Sequence, residues 1–464
     1  MTDVIVCGGG VAGLAAAVRA ATAGADTLVL EKAPRLGGSA LLSNGTLWTF
    51  ADPERAARLM PGADHLLQET VIAEAAATLD WIAGLGVPLG ATVDMVHGTG
   101  RSVDPAGLVD LLRARLLGLG GRIELRTPLR TLTPDPTAGA SPRAGFTVNG
   151  EWNAPAVVLA TGGFQGNPEL LTRYGIAPDH VYLRASPWST GDGLLAALAL
   201  GAATTAGLDG FYGHAMLAAL AAAAPQDMSA SSAAFGPREF REVSQYFGPL
   251  SYAVGLDGRR FTDESAGTGE ESLNEALARR PGGRGYYLGD ARVLATDALP
   301  GRLATRTIVE RAAAKGAAVT APTLDSLAAA LADHGVPAAA LLDTVHAVNR
   351  AGATGGWGDL YPPRARHRYG LTEPPFFAVA VKASLTFTTG GVAVDHEQRV
   401  LDRAASTSPI GTLVTDPADV DPVPIPGLYA AGCDVGGLSH AGYFGGLLPA
   451  LVTGRRAGTN AART

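Results

Sequence analysis

Gly8, Gly10 and Gly13 stand at the spacing GxGxxG, and a carboxylate, Glu31, follows 18 residues after the last of them. Glycines so spaced give a tight turn, let backbone approach a pyrophosphate and let a helix pack closely on a strand. The acid then accepts the hydroxyls of an adenosine ribose. The flanking residues are of the types those roles demand. Val4–Cys7 is a short apolar run, Leu14–Ala23 is alanine-rich and helix-favouring, and Thr27–Leu30 is a second apolar run ending at Glu31. The segment therefore reads as strand, turn, helix, strand, with the helix N-terminus facing the phosphates. A second glycine-rich turn, Arg35-Leu36-Gly37-Gly38-Ser39-Ala40, then Ser43-Asn44-Gly45, comes directly after the acid. A nicotinamide dinucleotide does not need that turn, whereas a larger dinucleotide lying extended across the domain does.

The elements that must hold such a cofactor are spread along a chain of 464 residues, enough for about two or three compact units. Hydrophobic residues make up 47% and charged ones 17%, which excludes a disordered chain. The net charge of −7 leaves no basic excess for phosphate backbones, so nucleic acid is not an expected partner. The longest apolar stretches, Leu194–Leu200 and Ala215–Ala224, fall well short of the roughly 20 residues that cross a bilayer, so no membrane association is expected. The start MTDVIVCGGG carries an acid where a signal peptide is basic, and the chain reads as cytoplasmic. Cys7 and Cys433 form neither CxxC nor a metal spacing, so neither thiol–disulfide chemistry nor a metal is expected.

Residues 50–120 read as helical, with breaks at Asp52-Pro53 and Val87–Gly90 and a helix over Val103–Leu117. Strands are expected at Arg122–Leu125, Leu129–Leu132, Phe146–Val148 and Ala156–Ala160. From about Gly210 the pattern changes to an Ala-rich helix, a proline-punctuated Pro225–Pro237 and a region of aromatics and charges. Apolar strands resume after the Pro- and Arg-rich Pro362–Arg368.

Five motifs in order carry a family resemblance. They are the N-terminal motif, GGS with SNG, Val157-Val158-Leu159-Ala160-Thr161-Gly162-Gly163-Phe164, Thr190-Gly191-Asp192-Gly193, and Gly427-Leu428-Tyr429-Ala430-Ala431-Gly432. From residue 3 to about 458 the chain resembles the FAD flavoproteins of the fumarate reductase, succinate dehydrogenase and 3-ketosteroid dehydrogenase superfamily. Gly258-Arg259-Arg260-Phe261-Thr262-Asp263-Glu264 and Asp209–His214 look most like its tricarballylate dehydrogenase-type branch. The resemblance implies an α/β fold: a Rossmann-like FAD-binding domain, residues 1–212 and 370–464, split by an inserted α+β capping domain, residues 213–369. The cap would shield the flavin from water, with the substrate between the two.

The FAD contacts so implied are Gly8, Gly10, Ala12, Gly13, Glu31, Lys32, Gly37, Gly38, Ser39, Ser43, Asn44, Gly45, Leu129, Ala160, Thr161, Gly162, Gly163, Asp192, Gly432, Asp434, Gly446, Leu447 and Leu448. Asp434 stands where an acid commonly accepts a ribityl hydroxyl. The helix opened by Gly445–Ala450 would aim backbone N–H groups at the isoalloxazine O2 region. Family members with covalent FAD use a His in the segment matching Gly38–Leu42; this chain has none there, so the resemblance implies noncovalent FAD.

Fumarate reductases carry a His before the T-x-G-G turn and an Arg two residues before the terminal GG, where this chain has Phe387 and Tyr443. Their proton-donating Arg falls at Thr268. The charges that clamp a small dicarboxylate are therefore missing at these positions. Tyr443 instead resembles the Tyr of 3-ketosteroid dehydrogenases that holds a substrate carbonyl, although it could equally pack over the ring. Polarising a carbonyl acidifies its α C–H, so that a base removes that proton while the β hydrogen leaves as hydride to flavin N5. The ketosteroid enzymes' base Tyr also falls at Thr268. Candidates for proton transfer are then His440, three residues before Tyr443, with His214, Tyr246, Tyr252 and Tyr212. Tyr246 and Tyr252 are flanked by Arg238 and Arg241, and Arg292 is expected to pair with Asp290.

The function expected is α,β-dehydrogenation of a small molecule larger and less charged than fumarate, with an electron acceptor or donor that the motifs do not name. An ene-reductase of the same geometry and a flavin-binding protein without turnover are the alternatives.

Overall fold

Val4–Cys7 is apolar at every position because the strand is covered on both faces. Ile5 and Cys7 share a core with Leu28, Leu30, Val157 and Leu159, whereas Val4 and Val6 face the opposite layer with Val29, Ala156 and Val158. The computed structural model describes residues 2–135, 145–218, 240, 242–267, 269–299, 301, 303–403 and 423–464. It builds a six-stranded sheet around this strand, in the order Arg399–Leu401, Pro424–Ala430, Ala156–Leu159, Val4–Cys7, Thr27–Glu31, Arg122–Leu125. Every pair is parallel except the antiparallel edge strand Arg399–Leu401. Strands from both ends of the chain therefore lie side by side in one layer.

The helices Val11–Thr22 and Leu447–Ala461 pack on each other across one face of this sheet. Their approach is set by glycine. A Cβ on Gly454 would fall 2.2 Å from the Ala12 carbonyl oxygen, and one on Gly458 would fall 2.0 Å from that of Ala16. The first residues of both helices, Val11 and Leu447, line the same cavity.

A second sheet is antiparallel. Its strands lie in the order Met216–Leu217, Phe376–Lys382, Arg284–Gly289, Tyr252–Gly255, with Ala318–Ala321 also paired to Phe376–Lys382. The helices Leu324–Ala332 and Ala338–Thr354 close its apolar core. Under it lies a buried charge cluster: Glu264 accepts from Arg260 Nε and Nη2 and from Arg364 Nη1, each at 2.8 Å. Arg364 also donates to the carbonyls of Ser251 and Pro249. Loss of Glu264 would leave two buried guanidiniums without their carboxylate.

Four expectations change. Residues 50–120 are not wholly helical, because Thr92–Met95 and Gly98–Ser102 pair with Thr46–Phe50 in a three-stranded sheet. Leu132–Pro134 joins a small sheet with Phe146–Val148 and Trp152–Ala154, so Leu129 is not part of a strand. The Ala-rich stretch opens with strand Met216–Leu217 rather than helix, and 219–239 lie outside the described residues. The boundary at 370 also moves. Phe376–Lys382 is hydrogen-bonded on both edges within the second sheet, and the return to the first sheet comes with Arg399–Leu401 and Pro424–Ala430. A central strand of continuous apolar residues reads alike in either sheet.

Candidate active site

The glycine turn works by geometry. Gly8 has φ +113°, and a Cβ there would lie 2.1 Å from the Ala160 carbonyl oxygen, so strand, turn and the Ala160–Gly162 segment touch through backbone alone. Gly10 differs: a Cβ on it would meet nothing within 4 Å, because its face is open to a cavity of about 1110 Å³. Glu31 at the end of its strand accepts from Gly9 N and Ala33 N, both at 2.6 Å, which fixes the carboxylate beside the turn. Burial raises its pKa against these two hydrogen bonds. Lys32 Nζ bonds Thr190 Oγ1 at 2.5 Å and Asp192 at 3.0 Å, tying the T-G-D-G turn to the acid's neighbour.

Of the expected FAD contacts, Gly8, Gly10, Ala12, Glu31, Lys32, Gly37, Gly38, Ser39, Ser43, Asn44, Leu129, Ala160, Thr161, Gly162, Asp192, Gly432, Gly446 and Leu447 line this one cavity. Gly13, Gly45, Gly163, Asp434 and Leu448 stand behind it. Gly13 serves close packing, since a Cβ on it would fall 1.9 Å from Gly8 O, and Leu448 is buried in the helix core. Asp434 is buried and does not line the cavity. Its carboxylate is taken up by protein groups, accepting from Thr161 N, Thr161 Oγ1 at 3.0 Å and Gly163 N at 3.3 Å. It shapes the turn that lines the cavity. Burial lifts it to about 6, with the hydrogen bonds opposing. The residues fit FAD: the cavity runs from Glu31 to Tyr443, has an open glycine face, and receives two helix N-termini.

The far end is aromatic. The Tyr443 ring stacks on Tyr212 at 3.8 Å and 9°, with Trp48 at 5.3 Å on Tyr443 and Phe387 at 5.0 Å from Tyr212. Burial pushes the Tyr443 phenol up to about 12, although hydrogen bonds with Trp48 and Tyr212 pull the other way. It is thus a protonated donor at neutral pH. The Tyr212 hydroxyl lies 2.8 Å from His214 Nε2, and His214 Nδ1 lies 2.9 Å from Glu270 Oε2. Glu270 Oε1 also accepts from Ala215 N at 2.9 Å and Tyr287 Oη at 3.0 Å. Burial raises Tyr212 well above the usual phenol value, lowers His214 well below the usual imidazole value and raises Glu270. Tyr246 packs edge-on to His214 at 4.7 Å.

Tyr443, His214 and Tyr246 are therefore brought together, and two other candidates are not. His440 does not line the cavity; its ring lies against Gly62, where a Cβ would come within 2.4 Å of Nδ1. Tyr252 is in the core of the second sheet, with its hydroxyl donating to the Tyr369 carbonyl and the Arg364 guanidinium 4.2 Å over its ring. Both stood near the right residues in sequence, but chain direction carries them away. Arg292 pairs with Glu373 at 2.5 Å rather than with Asp290, whose carboxylate caps the following helix through Arg292 N and Val293 N. Thr268, Arg238 and Arg241 lie outside the described residues.

Sequence reasoning passed over Arg184 and Glu270. Arg184 lines the cavity, its charge bears on Tyr212, His214, Glu270 and Tyr443, and its Nε is buried without a hydrogen-bond partner among the described residues. Nη1 donates to Thr386 Oγ1 at 3.3 Å. Glu270 carried a usable signal. It shares the buried face of the helix Glu270–Ala278 with Leu273, Asn274 and Leu277, at helical spacing.

An extended cavity with a glycine turn and two helix N-termini at one end and buried phenols at the other is that of a flavoprotein. The chain belongs to the FAD binding domain family, which matches residues 3–104 and 147–446. It is 26% identical to a probable fumarate reductase of Shewanella frigidimarina, over 100% of this chain and 75% of that protein. It is also 26% identical to a vinyl phenol reductase of Lactiplantibacillus plantarum, over 99% of this chain and 96% of that one. Its fold is similar to the structure of a 3-ketosteroid-Δ4-(5α)-dehydrogenase from Rhodococcus jostii, with a TM-score of 0.67 and 23% identity over 100% and 97% of the two chains. The family match makes it an FAD-binding flavoprotein, and the two relatives named are reductases. Among the described residues no helix is long and apolar enough to cross a membrane.

Proposed function

We propose that this enzyme dehydrogenates a carbon–carbon bond next to a carbonyl or carboxyl group, in a substrate larger than fumarate that carries at most one carboxylate. The reading rests on the wall formed by Tyr443, Tyr212 and Phe387, in which Phe387 and Tyr443 hold the positions where the resemblance implies a dicarboxylate-binding His and Arg. Bound FAD supplies the two-electron acceptor for the hydrogen leaving the β carbon. Gly8, Gly10, Glu31, Lys32, Thr161 and Leu447 would hold it, without a covalent bond to the Gly38–Leu42 segment.

Tyr443 supports the chemistry by being a donor in a dry setting. A phenol pushed up to about 12 keeps its proton and hydrogen-bonds the substrate carbonyl oxygen, where negative charge develops as the α proton departs. Trp48 and Phe387 exclude water around that oxygen. Arg184 suits a substrate carboxylate, since it lines the cavity and its Nε is buried without a hydrogen-bond partner among the described residues.

The names of two relatives, a probable fumarate reductase and a vinyl phenol reductase, favour a second reading in which the same site reduces an activated double bond. Anaerobic mixing tests both. The oxidised holoprotein with cyclohexanone, 4-phenyl-2-butanone or 3-phenylpropanoate reads dehydrogenation as loss of flavin absorbance. The dithionite-reduced protein with 2-cyclohexen-1-one, benzylideneacetone or cinnamate reads reduction as its return, and fumarate is the control. Reaction with fumarate at least as fast as with the larger compounds would refute the substrate class, and no reaction with any compound would refute the enzyme reading.

A further inference from the structure

We propose that Tyr212 is the group that exchanges the substrate's α proton, and that His214 and Glu270 form a wire behind it that carries the charge away from the reacting carbon. The inference rests on the CH–CH reading of this site and assigns the step which that reading leaves open.

The geometry is continuous. Tyr212 lines the cavity, is 7% exposed, and lies face to face with the carbonyl-holding Tyr443. Its hydroxyl is 2.8 Å from His214 Nε2, and the other ring nitrogen is 2.9 Å from Glu270 Oε2. Glu270 is held from behind by Ala215 N and Tyr287 Oη, so its carboxylate cannot rotate away. A phenol alone would be a poor base here, because burial disfavours its anion. The wire removes that obstacle. As the α proton arrives on the Tyr212 oxygen, the phenol's own proton passes to His214 Nε2 and the Nδ1 proton passes to Glu270 Oε2. No phenolate and no imidazolium need persist. The electron pair of the Cα–H bond becomes the new π bond, while the β hydrogen leaves with its own pair to the flavin. Run backwards, the same three shifts protonate the α carbon in a reduction.

The surrounding charges fit this direction of travel. Burial lowers His214, so the imidazole rests neutral with a nitrogen able to accept. It also raises Glu270, which makes that carboxylate a competent final proton holder. Arg184 opposes the imidazolium and favours the Glu270 anion, whereas Glu271 acts in the opposite sense on Glu270. Tyr443, Glu271, Arg184 and Tyr246 are the other groups that bear on Tyr212. Tyr246 lacks such a wire: its hydroxyl has no partner among the described residues.

The test uses the dithionite-reduced holoprotein and benzylideneacetone, following flavin reoxidation by anaerobic stopped flow from pH 5.5 to 9. Tyr212→Phe keeps the ring and its stacking, and is expected to slow reoxidation about 100-fold with an unchanged flavin spectrum. Glu270→Gln keeps a hydrogen-bond acceptor and is expected to slow it about tenfold and to abolish the ionisation visible in the wild-type pH profile. A merely structural Glu270 would leave the profile's shape intact, and that result would overturn the wire. Tyr212→Phe reoxidising at the wild-type rate would overturn the proposal while leaving the site reading standing. Failure of the wild-type protein itself to react would overturn both.

Discussion

Gly458→Ala is a demanding perturbation because it adds one methyl group to a contact that has no room for it. The new Cβ would lie 2.0 Å from the Ala16 carbonyl oxygen, where ordinary van der Waals contact begins at 3.4 Å. Relief requires the helices Val11–Thr22 and Leu447–Ala461 to part by roughly 1 Å, since neither side of the contact is a flexible side chain and protein interiors are close-packed. Overpacking of this kind costs about 1–3 kcal/mol. Part of that cost should appear as lost FAD affinity, because the first turns of both helices line the cavity and separate with the helices. Every 1.4 kcal/mol is a factor of about ten, so the dissociation constant should rise about 10- to 100-fold if most of the strain reaches the cradle. The assay is flavin fluorescence titration of the apoprotein, alongside the thermal midpoint with and without saturating FAD. Gly118→Ala is the control, since a Cβ at that helix end meets nothing within 4 Å. Should Gly458→Ala bind FAD as tightly as Gly118→Ala and melt at the wild-type temperature, the helix-pair account of the cradle is wrong.

Three further outcomes follow from individual side chains. The Asp434 carboxyl is raised from 3.8 to about 6, above its unfolded value, so the native state takes up a proton as pH falls through 6 toward 4. Wild type should therefore gain stability relative to Asp434→Asn across that window, by on the order of 3 kcal/mol in full; a difference in urea midpoints that stays constant from pH 7 to 4.5 would contradict this. Arg184→Gln should raise the KM for cinnamate about tenfold or more while leaving that for benzylideneacetone within about threefold, as expected for a hydrogen bond to a charged group; equal effects on both would remove Arg184 from carboxylate recognition. Acid precipitation of the holoprotein should leave the yellow colour in the supernatant, and colour retained in the washed pellet would overturn noncovalent attachment.

The cofactor end was legible in the sequence because its chemistry is done by backbone. A turn such as Gly8–Gly13 works only with glycine at fixed spacing, and an acid such as Glu31 must follow one strand later, so residue type and position carry nearly the whole signal. Local segments near it were read well for the same reason. The substrate end is assembled differently. Trp48, Arg184, Tyr212, Glu270 and Tyr443 come from five separated segments, and only the tertiary fold brings their side chains to one cavity. Spacing cannot reveal such a site, and nearness in sequence misleads: His440 is three residues from Tyr443 yet lies against Gly62. The strand Phe376–Lys382 shows the corresponding limit for domains, since a fully apolar strand does not state which sheet it completes.

The two ends of the cavity solve opposite electrostatic problems. The dinucleotide's phosphates bring negative charge, and the protein answers with N–H groups and helix termini rather than with a cluster of cations, so the −7 chain needs no basic excess to hold it. At the other end burial penalises every ion: Tyr443 and Tyr212 stay protonated, His214 stays neutral and Glu270 is pushed up. On the proposed reading a site so arranged disfavours a doubly charged substrate, because both carboxylates would be desolvated beside the rings of Trp48, Tyr212, Phe387 and Tyr443. It can favour a reaction in which a proton and a hydride leave neighbouring carbons together, since then no charge is left on the substrate, and the one proton released reaches a carboxylate that burial has already prepared to hold it.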